Sequence, residues 1–152
     1  MGTSSNIYAY SRNRMLEEYR TRISGSDSGL FLALSTAQLE ADARVALVKS
    51  AESLGYGPDG ATFLAIDKPE ALSPEQLFEI AEGLDPLCIV IADAQAAALF
   101  ADAYHIILPT RASFRTLGRE IRLLPNLGSM MATPAGKQQA WAALKTLPHL
   151  GK

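Results

Sequence analysis

Histidine and cysteine are scarce in this 152-residue chain, and their scarcity removes most of the usual catalytic kits. The two histidines are His105, which opens an apolar stretch, and His149, in the tail after Pro148. No serine stands in a Gly-x-Ser-x-Gly elbow, so a hydrolytic triad lacks its nucleophile turn. The single cysteine, Cys88, lies inside an apolar run with no basic neighbour to hold a thiolate, and reads as a small buried hydrophobe. One cysteine also excludes a disulfide framework. No His, Cys, Asp or Glu set has metal-ligand spacing, and the glycines fail the phosphate patterns. Gly55-Tyr56-Gly57-Pro58-Asp59-Gly60 precedes a strand instead of following one, and Pro58 removes a backbone donor from its middle. No cofactor and no metal are therefore expected.

The chain also lacks an uninterrupted membrane-length apolar segment. The span from Cys88 to Leu108 is long enough, but Asp93, Asp102 and His105 interrupt it, which makes it a βαβ unit and not a membrane helix. Nothing resembles a secretory leader, and Asn6 stands where a myristoylation signal needs serine or threonine, so the cytoplasm is the expected compartment. A net charge of −2 makes general nucleic-acid binding weak or absent.

What is present points to α/β architecture. Leu87–Ala92 is apolar without polar alternation, ends at Asp93, and runs into an alanine-rich helix over 94–103. A strand greasy on both faces must be covered on both faces. Ala61–Ile66 repeats the pattern and ends at Asp67; the two are read as adjacent parallel strands. Ser73-Pro74-Glu75-Gln76 carries a serine cap, a first-turn proline and a glutamine that completes a capping box. Leu77, Ile80, Ala81 and Leu84 then form a buried stripe. Leu30–Leu34 reads as a short strand or as entry to a helix capped by Ser35 or Thr36 and running to Leu54. Short strands are expected at His105–Leu108 and Arg119–Leu124, with a loop from Pro109 to Gly118. Asn126–Met131 is a helical turn, and Thr133-Pro134 starts a last helix with Ala140, Trp141, Leu144 and Leu147 inward. A helix-compatible piece from Arg12 to Ile23 precedes a flexible break over Ser24–Gly29. The expected fold is a three-layer α/β/α sandwich with a mostly parallel sheet of about four strands. Residues 29–152 form the single domain, behind a partly flexible segment 1–28.

Two constellations are chemically interesting. Asp67 and Asp93 both end strands and, if those run parallel, share one sheet edge, where acid/base or metal chemistry is possible. The same residues suit turns and helix caps equally well. From Asp67 to Asp102 there are eight acids and one lysine, whereas Arg111, Arg115, Arg119 and Arg122 face only Glu120 between Pro109 and Leu124. Thr110, Arg111 and Arg115 complete a candidate strand-end cleft, where guanidinium groups would meet a phosphate or an acidic protein. Pairing with the acidic helices is the alternative.

The order of the pieces, with Phe63–Leu72 leading into a helix and the closing segment Leu124–Trp141, resembles the uracil-DNA glycosylase-like superfamily. Nearest within it is the catalytically silent psi-subunit family of bacterial DNA polymerase III. The likeness covers about residues 61–147. It implies a non-enzymatic domain that works through a protein partner in DNA replication or repair, with the N-terminal region, including Tyr8 and Tyr10, as a partner-binding segment. An active glycosylase carries a water-activating loop, of which Asp67-Lys68-Pro69 is a remnant. It also carries a histidine loop, where this chain reads Leu108-Pro109-Thr110. Without that histidine no group supports the departing uracil anion, so excision is not expected. The rival expectation is an enzyme binding a small molecule or phosphate through Asp67, Asp93 and Arg111.

Overall fold

A computed structural model describes residues 13–26, 29–67 and 70–150. It is an α/β domain built on a six-stranded mixed sheet with helices on both faces. A short helix α1 (13–18) leads into β1 (Ile23–Gly25) and β2 (Phe31–Ser35). Then follow α2 (Ala41–Ser53), β3 (Ala61–Ala65), α3 (Pro74–Leu84), β4 (Cys88–Ile91) and α4 (Ala94–Tyr104). The chain closes with β5 (Ser113–Thr116), β6 (Arg119–Leu123), α5 (Leu127–Met130) and α6 (Pro134–Leu144).

Alternation along the central strands divides their apolar side chains between two cores. In β2, Leu32 and Leu34 face α1, α3 and α4, while Phe31 and Ala33 face α2, α5 and α6. In β4, Ile89 and Ile91 take the first side, and Cys88 and Val90 the second. All are essentially inaccessible to water, and each full burial of such a side chain stabilises the fold by about 1.5–3 kcal/mol. Unbroken greasiness in β4 thus has its expected cause, and β2 shares it.

The spatial order is β1-β3-β2-β4-β6-β5. The inner four strands are mutually parallel; β1 and β5 flank them antiparallel. This corrects the expectation of about four mostly parallel strands. It also separates Ala61–Ala65 from Cys88–Ile91, because β2 lies between them and pairs with both. Residues 30–34 thus fall on a strand, not a helix entry, and every residue of β2 is buried, as in β4.

Helix starts follow side-chain chemistry closely. The Ser73 hydroxyl accepts the Gln76 N–H, and the Gln76 amide oxygen accepts the Ser73 N–H in return. Asp93, Asn126 and Thr133 cap α4, α5 and α6 by accepting from Ala96, Ser129 and Gly136 N–H. Only α2 departs. It begins at Ala41, behind Glu40, with no side chain on its cap, so neither Ser35 nor Thr36 caps it.

Other expectations give way to longer-range pairing. Helix α1 stops at residue 18, and Ile23, Ser24 and Gly25 pair with Leu64, Phe63 and Thr62 of β3. Ser24 and Gly25 thus belong to the sheet, and Met15 and Tyr19 reach the core. Asp27 and Ser28, Lys68 and Pro69, and Tyr8 and Tyr10 lie outside the described residues. His105–Leu108 is not a strand: Ile106 and Leu108 rest on the core while Ile107 is 95% exposed. The extra pairing falls on Ser113–Thr116, inside the expected loop. Leu117 and Gly118 both adopt positive φ and join β5 to β6 in a two-residue turn whose twist suits a hairpin. Trp141 does not point inward. Gly136, Ala140 and Leu144 occupy the inner row of α6 at four-residue spacing, and Trp141, one step round, is 40% exposed.

Candidate functional site

In open parallel sheets the crevice for ligands lies at the carboxyl ends of the strands, where successive crossovers diverge. Here that point is between β2 and β4, since the chain leaves β2 toward β3 on one side and returns to β4 on the other. Thr36 follows β2 and Asp93 follows β4. Asp93 Oδ2 accepts the Thr36 N–H at 2.9 Å, and Oδ1 accepts the Thr36 hydroxyl. Oδ1 also accepts the Ala96 N–H at 2.8 Å as the cap of α4. A bridge from Asp93 to Asn126 and a bond from Leu127 N–H to the Ala92 carbonyl close the crevice from above. Asp93 is therefore a clasp across the divergence, its carboxylate engaged by three donors.

Asp67 reaches the same edge. Its N–H donates to the Thr36 carbonyl at 3.0 Å, so Thr36 stands between the two acids, and the Asp67 side chain is exposed. The arginines of the candidate cleft do not converge there. Thr110 and Arg111 are exposed in the loop entering β5, which has β6 between it and β4. Arg115 lies lower, toward the amino edge, because β5 runs down the sheet; its Nε pairs with Glu120 at 3.1 Å and its side chain is 65% exposed. Among the described residues, no three His, Cys, Asp or Glu side chains are grouped to hold a metal ion.

Two members of the basic cluster have structural posts. Arg119 grips Glu82 bidentately, with Nε and Nη2 donating at 2.9 and 2.6 Å, and also reaches Asp85 and the Pro86 carbonyl. Burial alone would raise the Glu82 pKa. The Arg119 bonds, the Tyr104 hydroxyl bond at 2.6 Å and the Arg119 charge outweigh it and hold the carboxyl below its ordinary value. The Arg122 side chain is buried and binds Glu120, the Ile121 carbonyl, and both the hydroxyl and carbonyl of Thr146. It thereby ties β6 to the end of α6. Cys88 is buried against the Tyr56 hydroxyl, and desolvation pushes its thiol up to about 11, which leaves it protonated and unreactive at neutral pH.

Open space is concentrated around α2. A groove of about 260 Å³ runs between α2 and α6, with Val45, Ala46, Leu127, Met131 and Trp141 among its walls and Lys49 and Lys137 on its rim. A second cavity of about 260 Å³ lies under the start of α2, between it and the carboxyl ends of β2 and β3. Neither was foreseen from the sequence. Ser35 and Thr36 end an apolar run as Asp67 and Asp93 do, so reading 30–34 firmly as a strand would have pointed to that edge. The outward turn of Trp141 carried no such signal.

No protein-family model matches this chain, and no curated protein matches it either. None of the described helices is long and apolar enough to cross a membrane.

Proposed function

We propose that this chain is a non-enzymatic protein-interaction domain that acts by contact with a protein partner in DNA replication or repair, the setting its resemblance implies. The observation that carries the reading is the α2–α6 groove. Trp141 at 40% and Val45 at 51% exposure form an apolar patch over a floor of Leu127, Met131 and Leu144. A tryptophan at the centre of such a patch is the residue type that most often dominates binding energy at protein interfaces. Lys49 and Lys137 flank it against one acid, Asp42. The occupant that fits is an apolar segment of a partner protein carrying acidic residues beside its anchors.

Three further features support this reading over catalysis at the strand ends. Asp93 is engaged by structural donors, and Arg111 stands beyond β6. Leu108-Pro109-Thr110 also offers no imidazole to a departing base.

The test is affinity capture from the native host with the full chain, compared with Trp141→Ala and with Lys49→Glu/Lys137→Glu. A partner retained by the wild type and by Arg111→Ala/Arg115→Ala, but lost from both groove variants, is expected. Equal capture by all variants would remove the groove from the interface. Incubation with uracil-containing DNA is expected to release no uracil, and robust turnover would overturn the non-enzymatic reading.

A further inference from the structure

The cavity beneath the start of α2 has a different chemistry from the groove. Its walls include Arg22, Ser24, Ser35, Gln38, Arg44 and Phe63. These residues converge by register. Ser24 lies opposite Phe63 on the α2 face of the sheet, and Ala65 N–H donates to the Arg22 carbonyl one step along. Ser35 lies opposite Ala65 at the end of β2. Arg44 descends from the first turns of α2. Its guanidinium stacks on the Phe63 ring at 4.2 Å and donates to the Ser24 hydroxyl at 3.0 Å. Arg22 donates to the Ile66 carbonyl at 3.3 Å.

Charge is unbalanced here. Arg115, Arg119 and Arg122 each have a carboxylate partner, yet Arg22 and Arg44, both half-buried, have none among the described residues. Partly desolvated guanidinium groups without a counter-ion are costly unless an anion completes them. Ser35 is only 4% exposed and lines the cavity. The N-terminus of α2, whose N-cap Glu40 makes no side-chain cap bond, adds the positive end of a helix dipole. The nearby acids turn elsewhere: Asp42 accepts the Ala43 N–H and borders the α2–α6 groove, and Glu40 and Asp67 are exposed and outside the cavity wall.

We infer that this cavity binds a small phosphomonoester, with Arg22 and Arg44 clamping the phosphate, Ser24 and Ser35 donating to its oxygens, and Leu39 and Ala65 meeting the body of the molecule. A dianion matches two guanidinium charges, and tetrahedral oxygens suit donors arriving from a strand, a helix and a loop. The volume of about 260 Å³ admits a small molecule. The site is separate from the α2–α6 groove, and its occupancy does not depend on the interaction reading.

The test is titration of the arginine-labelled full chain with inorganic phosphate and with phenyl phosphate at constant ionic strength, followed through the side-chain N–H resonances. Saturable shifts confined to Arg22 and Arg44 are expected, with millimolar or tighter affinity for phosphate and about tenfold tighter binding of phenyl phosphate. Arg44→Gln should abolish saturation. Ser35→Ala, which removes one oxygen and leaves the packing, should weaken binding at least about threefold while the melting temperature stays put. Shifts reproduced by sodium chloride, no saturation by about 20 mM phosphate, or an unchanged affinity in Ser35→Ala would each overturn the assignment. Equal affinity for the two probes would overturn the small-molecule ester in favour of free phosphate.

Discussion

On one face of the sheet α3 and α4 lie side by side, with Phe78 and Phe100 packed against Tyr104 at ring separations of 4.9 and 4.3 Å. On the other, α2 and α6 stand apart with a groove between them, and a second cavity opens under the start of α2. The closed face is also stapled, since Glu82 of α3 receives Tyr104 of α4 and Arg119 of β6 on one carboxylate. The open face is held mainly by small residues in its helices: Ala43, Ala51, Gly136 and Ala140. Small side chains let a helix approach the sheet but leave its flanks unfilled. The contrast separates a stapled face, where the opening between α3 and α4 is about 180 Å³, from a face with more room around its helices.

The largest effect tests whether both faces are dry where they meet the sheet. Val90 faces the α2 core and Ile91 the α3–α4 core, each at 0% exposure. Val90→Asp and Ile91→Asp are both expected to abolish folding, because an unpaired buried charge costs several kcal/mol against a net stability of about 5–15. A Val90→Asp protein that still shows a cooperative melt would mean that the open face admits water down to the sheet.

Next comes the staple. Arg119→Ala should cost about 2–3 kcal/mol in urea unfolding at neutral pH, as a charged donor set is withdrawn from a partly buried carboxylate. The Glu82 pKa is depressed in the folded state, so its contribution is present above the ordinary carboxylate range and disappears as pH falls through the folded value. The gap between wild type and Arg119→Ala should therefore narrow below about pH 4. A gap independent of pH would assign the loss to packing of the arginine stem.

Trp141→Ala should cost about 1 kcal/mol, well short of the roughly 3–5 that a core tryptophan would cost, and its fluorescence should be quenched readily by acrylamide. A larger loss would make the open face structural after all. The smallest effect is expected for Arg111→Ala/Arg115→Ala, within about 0.5 kcal/mol by thermal melting, since the one ion pair involved is solvent-exposed.

The parts legible in the chain were those encoded within a few residues. The capping box at Ser73, the Thr133 cap and the Leu77–Leu84 stripe are local, and all are realised. Strand order is not local: β2 inserts between β3 and β4 because it is apolar on both faces, a property it shares with them. The edge strands escaped notice because three or four residues of mixed polarity carry little periodicity; β1 exists through its register with β3 and β5 through its hairpin. At the site, the strand-end acids were visible as polar stops after apolar runs. Their link through Thr36, and the placing of Arg22, just before β1, and Arg44, on α2, along one cavity, arise only when separate elements pack.

Leu117, like Asp85 and His105, holds a positive φ without being glycine, and all three sit at the amino edge of the sheet, opposite the α2 cavity and the Asp93 clasp. Left-handed backbone in a residue with a branched side chain is a standing penalty of about 1 kcal/mol. The domain thus keeps unclaimed stability on the side remote from the surfaces proposed to bind. Directed evolution of either surface has that reserve to draw on: a Leu117→Gly exchange sets aside tolerance in advance for disruptive changes around α2.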